Sequence, residues 1–423
     1  VIKINVKWSK YNCQWCSEED YLITYNSLNN TIISARKEEF ENMLEEDYKQ
    51  LREEGFIVDD SIDESALMES YIQRRNKETK SLSCWVFVSN DCNLACSYCW
   101  EKGGLLKSNS NMNEATYKKA VAWIISKVNK KSMESLAITF MGGEPLLNIK
   151  AIEYVALQLG NISIPVTFNV ITNGVLLEAE MVKKLARLNI HSYQITLDGT
   201  VAIHNSRRHY RDGRGTFDKI VHNIAMLIDE DPDASIVIRI NVDKDNYKSV
   251  PYLLKLLKSL QYSQFASLCV NDTILEDDSE NEFILKEIVK ILQFAQKLGF
   301  HIAYGELNNC WMMSESWYMI NMDGLLYKCP SMVGNKDYAV GSIDLKEMYD
   351  TYYVQIAKTP WKECLNCELV GLCSGGCPNR ELIAKGAGHC KKVCRKAYMK
   401  ELLKLKYNFK IEEEGVYDED TLE

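Results

Sequence analysis

Three cysteines, Cys92, Cys96 and Cys99, stand in the spacing CxxxCxxC. Three thiolates this close in the chain can converge on one face of an iron–sulfur cluster. A four-iron cluster takes four ligands, so the fourth iron would stay open to an exogenous donor. An open iron suits chemistry better than plain electron carriage. Nine of the chain's fifteen cysteines crowd into this motif, Cys364-x-x-Cys367, Cys373-x3-Cys377 and Cys390-x3-Cys394. Disulfide frameworks belong to short secreted chains. A long chain with clustered cysteines points instead to metal centres in a reducing, cytoplasmic setting. Zinc is the competing metal for the C-terminal cysteines, since spacing alone does not separate the two.

Other chemistry-bearing residues follow at intervals. Met141-Gly142-Gly143-Glu144-Pro145 has two glycines that let backbone approach a ligand, with Glu144 and Pro145 fixing the exit of the turn. Thr172-Asn173-Gly174 offers Asn173 to a ribose or carboxylate. Thr196-Leu197-Asp198-Gly199 is followed by His204, Asn205, Arg207 and Arg208, and an arginine there can pair bidentately with a ligand carboxylate. Each motif alone also reads as an ordinary turn or a surface charge.

The elements that must position these residues alternate. Apolar strands are expected at 84–88, 137–141, 166–171, 192–197, 236–242 and 266–270. Helices are expected at 114–128, 149–159, 179–188, 217–228, 249–260 and 282–298. Such strand–helix repeats imply a parallel sheet with crossover helices. Six of them suit an α/β fold, a partial (β/α)6 TIM-like barrel over residues 81–300, whose ligand site lies at the carboxyl ends of the strands. The CxxxCxxC, GGEP, TNG and TLDG segments each fall at such an end.

CxxxCxxC after the first strand, GGEP after the second, TNG after the third and (S/T)-x-D-G after the fourth resemble the radical S-adenosylmethionine superfamily, over most of residues 84–300. The resemblance implies a four-iron cluster on Cys92, Cys96 and Cys99, with S-adenosylmethionine chelating its open iron. It implies that Gly142, Gly143 and Glu144 bind the amino group. Thr196 and Asn173 would reach the ribose or methionyl part, and Arg208 the carboxylate. Trp100 stands where an aromatic flanking adenine is expected. The activity implied is reductive cleavage to a 5′-deoxyadenosyl radical that takes hydrogen from substrate, fed by an external one-electron reductant of flavodoxin or ferredoxin type.

From 301 onward Cys310, Cys329, Cys364, Cys367, Cys373, Cys377, Cys390 and Cys394 resemble the SPASM extension, which implies two auxiliary four-iron clusters and three in all. In that pattern Cys310, Cys329 and Cys377 serve the first. Cys364, Cys367, Cys373 and a late cysteine serve the second, Cys394 being preferred to Cys390. The alternatives are one auxiliary position left open, or filled by Cys13, Cys16 or Cys84. A hairpin of 317–320 and 324–328 is expected to present Cys329, and a helix over 395–407 precedes an acidic tail.

Residues 1–80 are expected to form a small α+β unit: strands at 20–26 and 31–34, a helix over 37–54, a short strand at 56–58 and a second helix over 62–75. It resembles part of the winged-helix elements that grip leader peptides, with an N-terminal cap of the barrel as the alternative. The chain has 423 residues, 46% hydrophobic and 26% charged, with a net charge of −9. That acidity argues against a nucleic-acid partner. No apolar stretch has the length of a membrane span, and Val1-Ile2-Lys3 lacks a signal-peptide pattern. The resemblance implies a ribosomally made precursor peptide with a leader as partner, and thioether formation at a cysteine as first expectation. Carbon–carbon or ether crosslinking and formylglycine formation in a sulfatase are the alternatives. The last is weakened because Lys328, Pro330, Ser331 and Met332, rather than an aspartate, neighbour Cys329. A multi-cluster electron carrier and a zinc-stabilised regulatory protein are the readings of other classes.

Overall fold

The computed structural model describes residues 6–16, 20–99, 110–273, 278–307, 310–345, 348–349, 361–378, 394–407 and 417. Trp100, Cys390 and most of the acidic tail lie outside the described residues. The chain divides into two compact units. One gathers residues 1–79, 304–315 and 355–413; the other gathers 80–303, 316–354 and 414–423. The segment expected as one C-terminal piece from 301 is therefore shared between them.

In the first unit, strands β2 (Asn12–Cys16), β3 (Tyr21–Asn26) and β4 (Thr31–Arg36) form an antiparallel sheet, and β1 (Val6–Trp8) pairs with β5 (Ile57–Asp59). The β3–β4 hairpin was legible in sequence; β2 was not. Cys13 and Cys16 both lie on β2, Cys13 buried and Cys16 exposed. Side chains three apart on a strand face opposite sides, so this CxxC does not chelate as a pair. The single helix expected over 37–54 is two, Lys37–Glu41 and Glu45–Glu53. Each has its own acidic start: Glu39 accepts from the Arg36 N–H at 2.8 Å and Asp47 from the Leu44 N–H at 2.7 Å. The helix Glu64–Lys77 begins on Asp63, which accepts from Ser65 N–H at 3.0 Å and Ala66 N–H at 3.2 Å. Its buried face, Met68 and Ile72, shares one core with Tyr11, Leu28, Trp361 and Val370. Two polar ties reinforce that core. Arg75 donates to Gly371 O and to Ser374 Oγ, each at 2.6 Å, and Tyr11 Oη donates to Leu365 O at 2.8 Å. The N-terminal strands and the cysteine-rich segment around 364–377 are thus one folding unit.

The second unit is built on seven parallel strands. These are β6 (Ser81–Ser89), β7 (Ser135–Gly142), β8 (Val166–Thr172), β9 (Ser192–Thr196), β10 (Ser235–Val242), β11 (Ala266–Asp272) and β12 (His301–Ile302), adjacent in chain order. Long helices alternate with them, each packing a run of aliphatic side chains, such as Ile152, Val155 and Leu159 on Ile149–Leu159. This is the expected open barrel, with β12 as a seventh strand and a short helix, Val201–Arg207, added after β9. The hairpin of β13 (Trp317–Ile320) and β14 (Leu325–Tyr327) does more than present Cys329. β13 joins the sheet parallel to β6, and β14 and β15 (Gly341–Ser342) extend it antiparallel. The loop carrying Cys92 therefore leaves an interior strand, paired on both sides.

Candidate active site

The register of β6 against β7 shifts between Phe87 and Ser89, and the chain turns there into the cysteine loop. Two strand-like hydrogen bonds clip the loop to the segment after β9. Ala95 N–H donates to His209 O and Ser97 N–H to Arg207 O, each at 2.8 Å. Asp91 Oδ1 accepts from Cys92 N–H at 2.9 Å and pairs with Arg211 at 2.8 Å. Burial, with Glu144, Cys96 and Cys99 nearby, pushes the Cys92 thiol up to about 12 in the protein alone, although it accepts from Leu94 N–H.

The glycines of GGEP are required by this loop itself. A Cβ on Gly142, at φ +137°, would lie 2.0 Å from Ser89 O, and one on Gly143 would lie 2.5 Å from Asp91 O. Backbone bonds from Gly143 N–H to Ser89 O and Glu144 N–H to Asp91 O, both 2.8 Å, seal the contact. Glu144 is wholly buried and lies outside the cavity lining. Its carboxylate accepts from Thr172 Oγ1 at 2.7 Å, Asn173 N–H at 2.8 Å and Leu146 N–H at 3.1 Å. Burial nonetheless leaves its pKa raised. Here Glu144, which the resemblance implied would bind the amino group, welds the end of β7 to the end of β8. Asn173 continues the weld, donating to Asn93 Oδ1 at 2.7 Å beside the Cys92 sulfur.

A residue that sequence reasoning passed over organises the other wall. The Tyr98 hydroxyl donates to Asp198 and accepts from Arg208 at 2.8 Å and Asn241 at 3.3 Å. Asp198 also accepts from Asn241 N–H at 2.9 Å, and the Arg207 guanidinium lies 4.5 Å from the Tyr98 ring centre while pairing bidentately with Asp243. Burial works against the charge on Arg208, but Tyr98, Cys96 and Asp198 more than restore it, and its pKa is raised. Burial drives His204 down to about 3, with Arg208 and Arg207 adding to the effect. The neutral ring accepts from Asp198 N–H at Nδ1, 3.3 Å, so Nε2 donates to Thr216 at 3.1 Å. The signal for Tyr98 was an aromatic inside the cysteine motif, two residues before Trp100.

These walls enclose a cavity of about 780 Å³ at the carboxyl ends of β6–β10. Cys92, Cys96 and Cys99 all line it, as do Gly142, Gly143, Asn173, Thr196 and Arg208. Leu94, Met141 and Ile171 add apolar surface. The donor set fits a cluster with a charged amino-acid ligand. Three thiols open on one space, and the buried Arg208 Nε has no hydrogen-bond partner among the described residues.

Of the cysteines from 310 onward, Cys329 belongs to the second unit, whereas Cys310, Cys364, Cys367, Cys373, Cys377 and Cys394 belong to the first. Burial, with Cys377 and Cys373 nearby, pushes Cys310 up to about 12. Cys373 is also raised, chiefly by burial, with Cys364 and Cys394 contributing. Ser374, Gly375 and Gly376 take φ of 56°, 89° and 92°, a left-handed turn between Cys373 and Cys377. Beside it Glu368 is gripped by Lys396 at 2.6 Å and Lys400 at 2.9 Å; partial burial opposes its charge, but the two lysines hold it down at about 2. Among the described residues no three His, Cys, Asp or Glu side chains are set to hold a single metal ion. No helix among them is long and apolar enough to cross a membrane.

Residues 86–257 match the Radical SAM superfamily. The radical SAM cyclopropyl synthase TigE of Paramaledivibacter caminithermalis is 21% identical over 77% of this chain and 74% of its own. The cysteine-type anaerobic sulfatase-maturating enzyme of Clostridium novyi is 23% identical over 70% of this chain and 88% of its own. Streptococcus suis SuiB, solved with its precursor peptide SuiA, superposes with a TM-score of 0.55 at 16% identity, covering 92% of this chain and all of SuiB. SuiB has also been solved with S-adenosylmethionine bound.

Proposed function

We propose that this enzyme, which carries a radical SAM domain, modifies a ribosomally made precursor peptide by installing an intramolecular crosslink at a cysteine sulfur. The observation that carries the reading is the opening of Cys92, Cys96 and Cys99 on one cavity that also holds Arg208. A four-iron cluster and S-adenosylmethionine bound there would supply a 5′-deoxyadenosyl radical for hydrogen abstraction. The chain's own residues do the rest. Arg208, held by Tyr98 and Asp198, pairs with the methionyl carboxylate; Thr196 and Asn173 contact the ribose or methionyl part; Gly142 and Gly143 give close backbone approach. Leu94, Met141 and Ile171 keep water from the reacting atoms.

The cysteines of 310–394 hold two auxiliary clusters in this proposal. The nearness of Cys364 and Cys394 to the Cys373 thiol, whose pKa both help to raise, supports Cys394 as the late ligand of the second. The peptide partner is supported by the peptide bound to SuiB and by the extent of that likeness through the N-terminal unit. A leader segment docking on residues 1–79 and an external flavodoxin- or ferredoxin-type reductant complete the reading.

The test is anaerobic reconstitution with iron and sulfide, followed by reduction with S-adenosylmethionine and the precursor peptide encoded beside the gene. About twelve irons per chain, 5′-deoxyadenosine, and a peptide lighter by two hydrogens with one thiol consumed are expected. Iron without 5′-deoxyadenosine would identify an electron carrier. Loss of two hydrogens with every thiol intact would mean a carbon–carbon link, the chemistry nearer to TigE's name.

A further inference from the structure

Three guanidinium groups, those of Arg208, Arg211 and Arg239, line the cavity, and no Asp or Glu among the described residues does. Two of the three are accounted for. Arg211 is neutralised by Asp91 at 2.8 Å. Arg208 sits in the Tyr98–Asp198 network beside Cys96 and faces the cofactor in the reading above. Arg239 is different, and its partners are all neutral. Its Nε donates to Asn241 Oδ1 at 2.9 Å and its NH1 to the Cys269 sulfur at 3.4 Å.

The setting of Arg239 is built. On β10, four strands along the sheet from β6, which leads into the cysteine loop, it pairs in register with Thr196 on β9 and with Cys269 on β11. Cys269, 9% exposed, points its thiol at Asn271 Oδ1, 3.5 Å away, and Asn241 is fixed by Tyr98 and Asp198. The guanidinium plane is therefore held at two points. Of its five N–H donors two are engaged, and three find no partner among the described residues. A half-buried guanidinium without a counter-charge is costly, whereas a planar fork matches a carboxylate in charge and shape.

We propose that Arg239 is the specificity-determining residue of the substrate subsite and holds a carboxylate of the bound peptide, from an Asp or Glu side chain or from the chain terminus. Arg208 serves the cofactor; Arg239 serves the substrate. This rests on the radical SAM reading of the same cavity and adds the chemical class of the peptide at the reacting position.

The test uses the full chain with its clusters reconstituted and S-adenosylmethionine present. The probes are two tritiated decapeptides, alike but for a central Asp or Asn, each made with a free or an amidated C-terminus. Equilibrium dialysis should show the amidated Asp peptide binding about ten-fold tighter than its Asn twin. Arg239→Gln should erase that ratio, Arg239→Lys should keep part of it, and iron content should report that both variants fold. An advantage confined to free C-termini, and likewise erased in Arg239→Gln, assigns the terminal carboxylate as the source. Equal binding or no binding of all four peptides overturns the proposal. So does a ratio that survives Arg239→Gln, or a variant that loses only S-adenosylmethionine affinity. Failure of the underlying reading looks different: the wild-type chain would neither bind nor cleave S-adenosylmethionine, whatever the peptide.

Discussion

Replacing Tyr98 with Phe removes one oxygen and tests the wall that holds Arg208. That oxygen donates to Asp198, which is fully buried, and accepts from Arg208, which is 8% exposed. Hydrogen bonds to charged groups are each worth about 1.5–3 kcal/mol, and an unsatisfied buried charge costs at least that. Two such bonds break in the variant; Asp198 keeps its bond from Asn241 N–H at 2.9 Å, and the cavity can admit one water to Arg208. The two losses belong to one network and do not add in full. We therefore expect a loss of about 2–4 kcal/mol in stability. The ring itself stays, so the Arg207 stacking and the loop's backbone clips should persist. Urea unfolding of the cluster-free protein measures the loss, and dialysis against labelled S-adenosylmethionine should show weaker binding because Arg208 has lost its tether. A change in stability below about 0.5 kcal/mol with unchanged affinity would refute the network as the organiser of this wall.

Four further outcomes are expected. Cys96→Ala should remove about four irons per chain and abolish 5′-deoxyadenosine formation; retained cleavage would contradict the cluster assignment. Gly142→Ala places a Cβ 2.0 Å from Ser89 O at a positive φ, so the cysteine loop must shift. The backbone strain alone is about 1–3 kcal/mol, and iron loading measured after reconstitution should fall. Gly371→Ala drives a Cβ to the same 2.0 Å from Ser27 O within the first unit; proteolysis at the β3–β4 turn should accelerate while the radical SAM domain stays protected. His204 is held near 3 against an ordinary 6.5, so the unfolded chain binds the extra proton across that window. Stability is then full above about 6.5 and lost on acidification, by up to about 1.4 kcal/mol per pH unit. Urea midpoints at pH 7 and pH 4.5 should differ less in His204→Gln than in the wild type.

What the sequence determined by itself was local. Thiols three and four residues apart must share a loop, and a run such as Trp85–Val88 between them and the preceding polar segment must be a strand. The alternation of such runs with amphipathic helices fixes a parallel sheet, because no shorter connection joins parallel strands. The tertiary structure decided what spans long loops. Tyr98 meets an aspartate and an arginine 100 and 110 residues away. β13 joins β6 in parallel across more than two hundred residues, and the N-terminal helix shares its core with Trp361 and Val370. It also turned Glu144 inward, because two neighbouring strand ends offered its carboxylate three donors that no spacing rule announces. Periodicity is a property of neighbours in the chain, whereas register and buried polar pairing exist only once distant segments have met.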